Sequence, residues 1–200
     1  MTTEAHYFEE EPSVSSDPRQ IDLVLPDLTV SMASDSGVFS ADQIDPGTRY
    51  LLLEAPEPGP QVVDALDLGC GYGPIARVLA HRAPQAHVWA VDVNARARHL
   101  ATENLAGFHA TVAAPSEVPD TARFDLIWSN PPIRIGKAAL HALLTHWLGR
   151  LRLGGRAILV VHHHLGSDSL QRWLDDEGFV TTRLGSRRGY RLIDVRNDAP

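Results

Sequence analysis

From residue 61 onward, short apolar runs alternate with longer segments in which apolar residues recur every three or four positions. VVDALDL, HVWAVDV, HATV, FDLIWSN and RAILVV read as buried strands, the first beginning at Val62. PIARVLAHRA, ARARHLATENLAG and KAALHALLTHWLGRL carry the helical period between them. Asn94 is placed to cap the second of these helices and Gly107 to end it. AAPSEVPDTAR interrupts the rhythm as a loop, SDSLQRWLDDEG reads as a capped helix, and FVTTRL with YRLIDVR as a closing antiparallel pair. Such alternation predicts an α/β fold, a doubly wound, mainly parallel seven-stranded sheet.

The pattern before residue 61 is different. IDLVL and LTVSM flank Pro26-Asp27 as a β-hairpin. A helix is expected over Gly47–Glu54, with Asp45 as its cap and Pro46 setting the entering φ. PEPGP at 56–60 is a stiff spacer into the main fold. The expected organisation is a loosely held polar arm over 1–20, pinned by Tyr7 and Phe8, a hairpin-and-helix extension over 21–60, and one α/β domain over 61–200.

Composition narrows the setting. Two hundred residues can bury one core. No apolar run nears the roughly 20 residues that span a bilayer, and the acidic first 18 residues do not read as a secretory signal. A lone cysteine, Cys70, forms no internal disulfide and suits a reducing cytoplasm. The net charge of −7 argues against a nucleic-acid partner until its distribution is read. Residues 1–133 hold 7 Lys/Arg against 19 Asp/Glu, whereas residues 134–200 hold 11 against 6. A basic C-terminal third can meet phosphates, with Arg183, Arg187, Arg188 and Arg191 around the last turn; a solvated surface explains it equally well.

Candidate chemistry lies at two strand ends. Ligands of such sheets bind beyond the carboxyl ends of the strands, where strand order reverses. Asp67-Leu68-Gly69-Cys70-Gly71-Tyr72-Gly73 leaves the first strand of the α/β region there, and Asp92 ends the second, 19 residues after Gly73. Glycines let a ligand approach the backbone, and a carboxylate at Asp92 accepts both hydroxyls of a ribose diol. The third glycine of a dinucleotide fingerprint is replaced by Pro74. The observed D-x-G-x-G-x-G instead resembles the first motif of class I methyltransferases, which use S-adenosylmethionine.

Ser129-Asn130-Pro131-Pro132-Ile133 follows the fourth strand. An exocyclic amine or carboxamide nitrogen has a delocalised lone pair and is a poor nucleophile. Two acceptors, the Asn130 side-chain oxygen and the Pro131 carbonyl, can hold its N–H groups so that the lone pair points at the methyl group. Pro131 and Pro132 stiffen the loop, and preorganised acceptors need no strong base. The motif is similar to that of the N-P-P-aromatic amino-methyltransferases acting on adenine N6, glutamine N5 and guanine N2. With GVFSADQIDPGTRYLLLEA and NPPIRIGK, the chain most resembles the small ribosomal-RNA guanine-N2 methyltransferase family, which has RsmC-type bacterial members and stand-alone archaeal relatives.

That resemblance, over residues 20–196, implies that Asp67, Gly69, Gly71, Gly73 and Asp92 hold S-adenosylmethionine, with Cys70 and Val93 beside them and Phe39 at the pocket border. Pro115-Ser116-Glu117 would lie near the adenine. Asn130 and Pro131 would orient the amine, and Ile133 stands where the motif commonly has an aromatic that stacks on the base. The long bacterial members carry a further N-terminal half for which 200 residues leave no room, so RNA recognition is expected from elsewhere. The implied partner is ribosomal RNA or a ribosomal subunit, acted on by a cytoplasmic monomer without metal or membrane. A protein glutamine-N5 methyltransferase and a non-catalytic S-adenosylmethionine-binding module are the alternatives. His162-His163-His164 is expected to hold no metal, because neighbours in an extended chain point to opposite faces.

Overall fold

The computed structural model describes residues 12–198, the side chain of Leu165 excepted. A hairpin, β1 (Arg19–Val24) and β2 (Thr29–Ser34), precedes α1 (Pro46–Glu54). There follow β3 (Asp64–Leu68), α2 (Pro74–Arg82), β4 (His87–Val91), α3 (Ala95–Asn104), β5 (Ala110–Ala113) and β6 (Phe124–Ser129). The chain closes with α4 (Lys137–Leu148), β7 (Leu151–His162), α5 (Ser167–Asp176), β8 (Val180–Arg187) and β9 (Tyr190–Arg196). The main sheet runs β5-β4-β3-β6-β7-β9-β8, parallel except where β9 pairs with β7 and β8. Strand order therefore reverses between β3 and β6, and both strands end there in the loops singled out above.

Side chains alternate across the strands and are buried on both faces. Ala65, Trp128, Ile158 and Val160 face a core built with α1, α2, α3 and the hairpin; Leu66, Ile127, Leu159 and Val161 face α4 and α5. Two-sided burial is why these strands read as continuous apolar runs. Ile21, Leu23 and Met32 of the hairpin belong to the first core, along with Leu51 and Leu52 of α1. Asn104 clamps the hairpin down: its Oδ1 accepts from the Ala33 N–H while its Nδ2 donates to the Ala33 and Tyr72 carbonyls.

Three expectations need correction. Residues 13–18 of the supposed loose arm are tied down, because the Ser16 hydroxyl and Asp17 N–H donate to Asp35 and Arg96 donates to the Val14 carbonyl. Tyr7 and Phe8 lie outside the described residues. Strand β7 starts at Leu151, not Arg156; Leu151 is buried and pairs with Phe124, and the register shifts before Leu126 pairs with Arg156. Helix α5 lacks a side-chain cap: Gly166 occupies that place, and Ser167 lies inside the helix, where its hydroxyl accepts from Arg191.

Candidate active site

The loops after β3 and β6 open onto one cavity of about 580 Å³. Its floor is the turn Gly69–Gly71. The backbone N–H groups of Gly69 and Cys70 donate to the Val91 carbonyl, which draws the loop against the end of β4. Gly71 lies at φ 55 and its N–H donates to Asp92 Oδ2 at 2.8 Å, while Asn94 N–H donates to Asp92 Oδ1 at 2.9 Å. A carboxylate offers about four lone-pair sites, so Asp92 keeps capacity for two hydroxyl donors. Burial raises its pKa, opposed by those two backbone N–H groups. A Cβ at Gly69 or Gly71 would meet no protein atom within 4 Å. The space it would enter is the cavity, so these are the positions where any side chain would obstruct a ligand.

Val93 and Phe39 line the same cavity, 42% and 45% exposed. Phe39 is held there from α3, since Asn94 Nδ2 donates to the Gly37 carbonyl and Arg96 to that of Ser36. Pro115 reaches the cavity; Glu117 instead turns back to accept from the Ala114 N–H.

Three proposed cofactor residues stand elsewhere. Asp67 is fully buried beneath the loop, with Oδ2 accepting from the Ala76 N–H at 2.8 Å and Oδ1 without a partner among the described residues. Burial pushes its pKa up to about 8. Gly73 starts α2 at φ 91, and a Cβ there would come within 3.3 Å of Ala101 Cβ. Its place is helix packing, not the cavity wall. Cys70 faces a small recess next to the main cavity, toward Thr48 and Tyr72, and burial raises its thiol pKa well above the ordinary value.

At the end of β6, Pro132 sits at φ −74, ψ 72, and the Ile133 N–H donates to the Pro131 carbonyl at 2.8 Å. This is an inverse γ-turn. The Pro131 carbonyl is thus already engaged once, leaving one lone pair. The Asn130 side chain is fixed from α1. Its Nδ2 donates to Asp45 Oδ1 at 2.8 Å and to Thr48 Oγ1 at 3.1 Å, and no hydrogen bond occupies its Oδ1 among the described residues. Asp45 also caps α1 by accepting from the Thr48 N–H at 2.8 Å. Asp45, Asn130, Pro131, Pro132 and Ile133 all line the cavity.

The far wall holds groups that local sequence did not assign to the site: Arg134, Trp147, His162, His164 and Tyr190. His162 opposes Tyr190 across the β7–β9 pair, ring edge to ring face at 4.9 Å. The three histidines do not splay apart. A 3-10 turn over His163–Leu165 gathers them, with the His163 and His164 rings 3.6 Å apart. Their donors do not form a metal-binding set among the described residues. The basic surplus of the C-terminal third is largely paired within the chain. At least seven of its eleven cations form ion pairs, including Arg183 and Arg191 with Asp168 and Arg187 with Glu54.

The cavity fits S-adenosylmethionine in its chemistry: an acceptor pair at Asp92 for a ribose, side-chain-free backbone at Gly69 and Gly71, and apolar walls at Val93 and Pro115. Among the described residues no helix is long and apolar enough to cross a membrane.

Comparison with known proteins points the same way. Residues 29–193 match the model of the methyltransferase small domain. The chain is 32% identical to the uncharacterized protein YbxB of Bacillus subtilis over 197 residues, 96% of this chain and 98% of that one. It is 31% identical to ribosomal RNA small subunit methyltransferase C of Cronobacter sakazakii over 202 residues, 95% of this chain and 56% of the relative. Among solved structures, a 16S rRNA N2 methyltransferase (RsmC) of T. thermophilus, in complex with AdoMet and guanosine, is similar with a TM-score of 0.76 and 26% identity. That match covers 92% of this chain and 52% of the other. The chain therefore spans about half the length of these RsmC proteins and nearly all of YbxB.

Proposed function

Since the chain belongs to the methyltransferase small-domain family, we propose that it methylates the N2 amine of a guanine in ribosomal RNA, acting as a monomer in the cytoplasm. Its methyl donor is S-adenosylmethionine. When bound, that cofactor supplies an electrophilic methyl group; Asp92 would hold its ribose, and Gly69 and Gly71 would let it lie against the backbone.

The observation that carries the reading is the orientation of Asn130. With both amide hydrogens of Nδ2 taken by Asp45 and Thr48, the oxygen is the end left to accept from a substrate amine. Asn130 Oδ1 and the remaining lone pair of the Pro131 carbonyl hold two N–H groups and leave the nitrogen lone pair directed away from both. Acceptors fixed before substrate arrives favour the rehybridised amine without reorganisation. Asp45 adds a third acceptor to this wall. Guanine presents adjacent N1–H and N2–H donors, which match a row of acceptors; adenine sets its N1 lone pair beside the amine and is repelled. The N2 amine of a paired guanine is inaccessible to such a cavity, so the base must be unpaired or flipped.

Nucleoside mass spectrometry of ribosomal RNA from a deletion strain and its parent tests the proposal. Loss of one N2-methylguanosine on deletion is the expected result. Unchanged RNA, with tritium from labelled cofactor passing to protein in a hypomethylated lysate, would move the substrate to a glutamine amide. Transfer to neither class would leave a cofactor-binding module.

A further inference from the structure

We infer that Asp45, the cap of α1, is a positioning residue for methyl transfer, fixing which end of the Asn130 amide faces the reaction cavity. The inference rests on the reading of Asn130 as the acceptor of the target amine.

The two ends of a carboxamide have almost the same shape, so packing alone does not choose between them. Had Nδ2 faced the cavity, it would set a donor against the N–H groups of the target. The choice is made by what stands behind the side chain. A carboxylate is acceptor-only when ionised, and Asp45 Oδ1 lies 2.8 Å from Asn130 Nδ2. Turning the amide over would bring its oxygen against a negative oxygen at the same distance. Thr48 Oγ1 takes the second amide hydrogen at 3.1 Å. Hydrogen bonds to an ionised partner are about twice as strong as neutral ones, so Asp45 dominates.

Asp45 is itself held in place. Its Oδ1 accepts from the Thr48 N–H, Pro46 follows it in the first helical position, and α1 is anchored by the fully buried Leu51 and Leu52. Gly47 brings this first turn against the far wall: a Cβ there would lie 2.6 Å from the Tyr190 ring. The N-terminal extension thereby reaches the chemistry through one carboxylate, 85 residues before the loop it controls.

Asp45→Ser separates the two tasks of this residue. Serine caps helices about as well as aspartate but is too short to reach Asn130. Single-turnover methyl transfer should fall about tenfold to a hundredfold, the scale of a misplaced reacting group, with S-adenosylmethionine affinity within about twofold of wild type. Asp45→Asn should keep most of the activity, because one amide oxygen can accept from both Thr48 N–H and Asn130 Nδ2. Thr48→Val, which spares the cap, should cause a smaller fall. In an Asn130→Ala background Asp45→Ser should add nothing, since the group it positions is gone. Effects that multiply in the double variant, or an Asp45→Ser protein as fast as wild type, would overturn the inference. A second readout needs neither cofactor nor substrate: the Asn130 side-chain amide protons should exchange slowly in the wild-type NMR spectrum and fast in Asp45→Ser. Unchanged exchange refutes the positioning role. Normal transfer by Asn130→Ala alone refutes the role of Asn130 instead, while the amide spectrum still reports whether Asp45 fixes it.

Discussion

Strands β3 and β6 pair in register, Leu68 opposite Ser129, yet the loops that leave them keep their shapes by different means. The first is held by its own backbone. N–H groups of Gly69, Cys70 and Gly71 bond to Val91 and Asp92 at the end of β4, and the absence of side chains at two positions creates the space beside them. The second is held by side chains and prolines: a γ-turn at Pro132 bends it, and the carboxylate that caps α1 fixes the Asn130 amide. A surface of backbone and empty space suits a ligand that is held at atoms remote from the bond that breaks. A single oriented amide suits a group that must be turned before it reacts.

The largest effect should come from filling the empty space. Gly71→Val places a branched side chain in the cavity and at φ 55, a conformation costly for such residues. S-adenosylmethionine binding by calorimetry should be lost, with only a moderate drop in melting temperature. Gly73→Ala is the control on the same loop. Its Cβ meets Ala101 in place of the cavity, so it should lower the melting temperature while the folded fraction still binds cofactor. If both variants bind alike, the assignment of Gly71 to the cavity wall and Gly73 to packing fails.

The other loop is probed at Asn130. Asn130→Ala removes one preorganised acceptor, and transfer should fall by about 10²–10³ with cofactor affinity little changed. Asn130→Asp is the instructive partner. Considered alone, it keeps an acceptor of nearly the same shape and should outperform alanine. The structure reverses that ranking near neutral pH, because the new carboxylate would lie about 2.8 Å from Asp45 Oδ1, oxygen against oxygen. Like charges at that separation repel, which pushes the new side chain away from the position the Asn130 amide holds. An Asn130→Asp enzyme that matches or exceeds Asn130→Ala would show that Asp45 does not face Asn130 in solution.

A third effect is thermodynamic and lies beneath the glycine loop. Asp67 has a folded pKa of about 8, raised by burial from an ordinary value near 4. The folded state therefore retains a proton that the unfolded state has released. The contribution of this one site is full below about pH 4 and declines as pH rises toward about 8, by up to about 1.4 kcal/mol per unit. Asp67→Asn cannot titrate, so its unfolding free energy, from urea titrations at several pH values, should vary less over that window. Parallel curves for the two proteins would mean that Asp67 is ionised in the fold, with a compensating partner.

The difference between the loops also decides what could be read from the chain. The alternation of strands and helices, the hairpin and the glycine turn are legible because each depends on residue types at fixed local spacing. Gly69, Gly71 and Asp92 belong to that class. Asp67 and Gly73 sit in the same motif, but spacing cannot say which glycine faces a ligand and which a helix; that depends on where Ala101 of α3 packs. The start of β7 is hidden for a similar reason, since Leu151 extends the strand through partners distant in sequence, Phe124 and Asn197. Asp45 was legible as a cap and illegible as the partner of Asn130. The conformation of the histidine run is not legible locally: the apolar strand before it favours an extended continuation, whereas His163–Leu165 form a 3-10 turn that ends at Gly166.

The smallest expected effect concerns how RNA is held. The surplus of cations after residue 133 suggested a phosphate-binding edge around the β8–β9 turn, and the ion pairs redistribute that expectation. Arg183 and Arg191 are engaged by Asp168, and Arg187 lies 3.3 Å from Glu54. Arg188, at the exposed tip with φ 47, has no ion pair among the described residues. A cation already paired within the chain gives up that partner when it meets a phosphate, and the freed carboxylate then takes up a cation from solution, so the net release of ions is smaller than for a solvated one. Replacing Arg188 by alanine should therefore lower the slope of log affinity against log salt by about 0.7 to 0.9, one phosphate contact. Arg187→Ala should change the slope less. Cofactor affinity should stay constant in both. Filter binding across a salt series distinguishes the outcomes: an unaltered slope in Arg188→Ala takes this turn out of the RNA interface. A larger change in Arg187→Ala than in Arg188→Ala would mean that the Glu54 pair opens when RNA docks, in keeping with the small worth of exposed ion pairs.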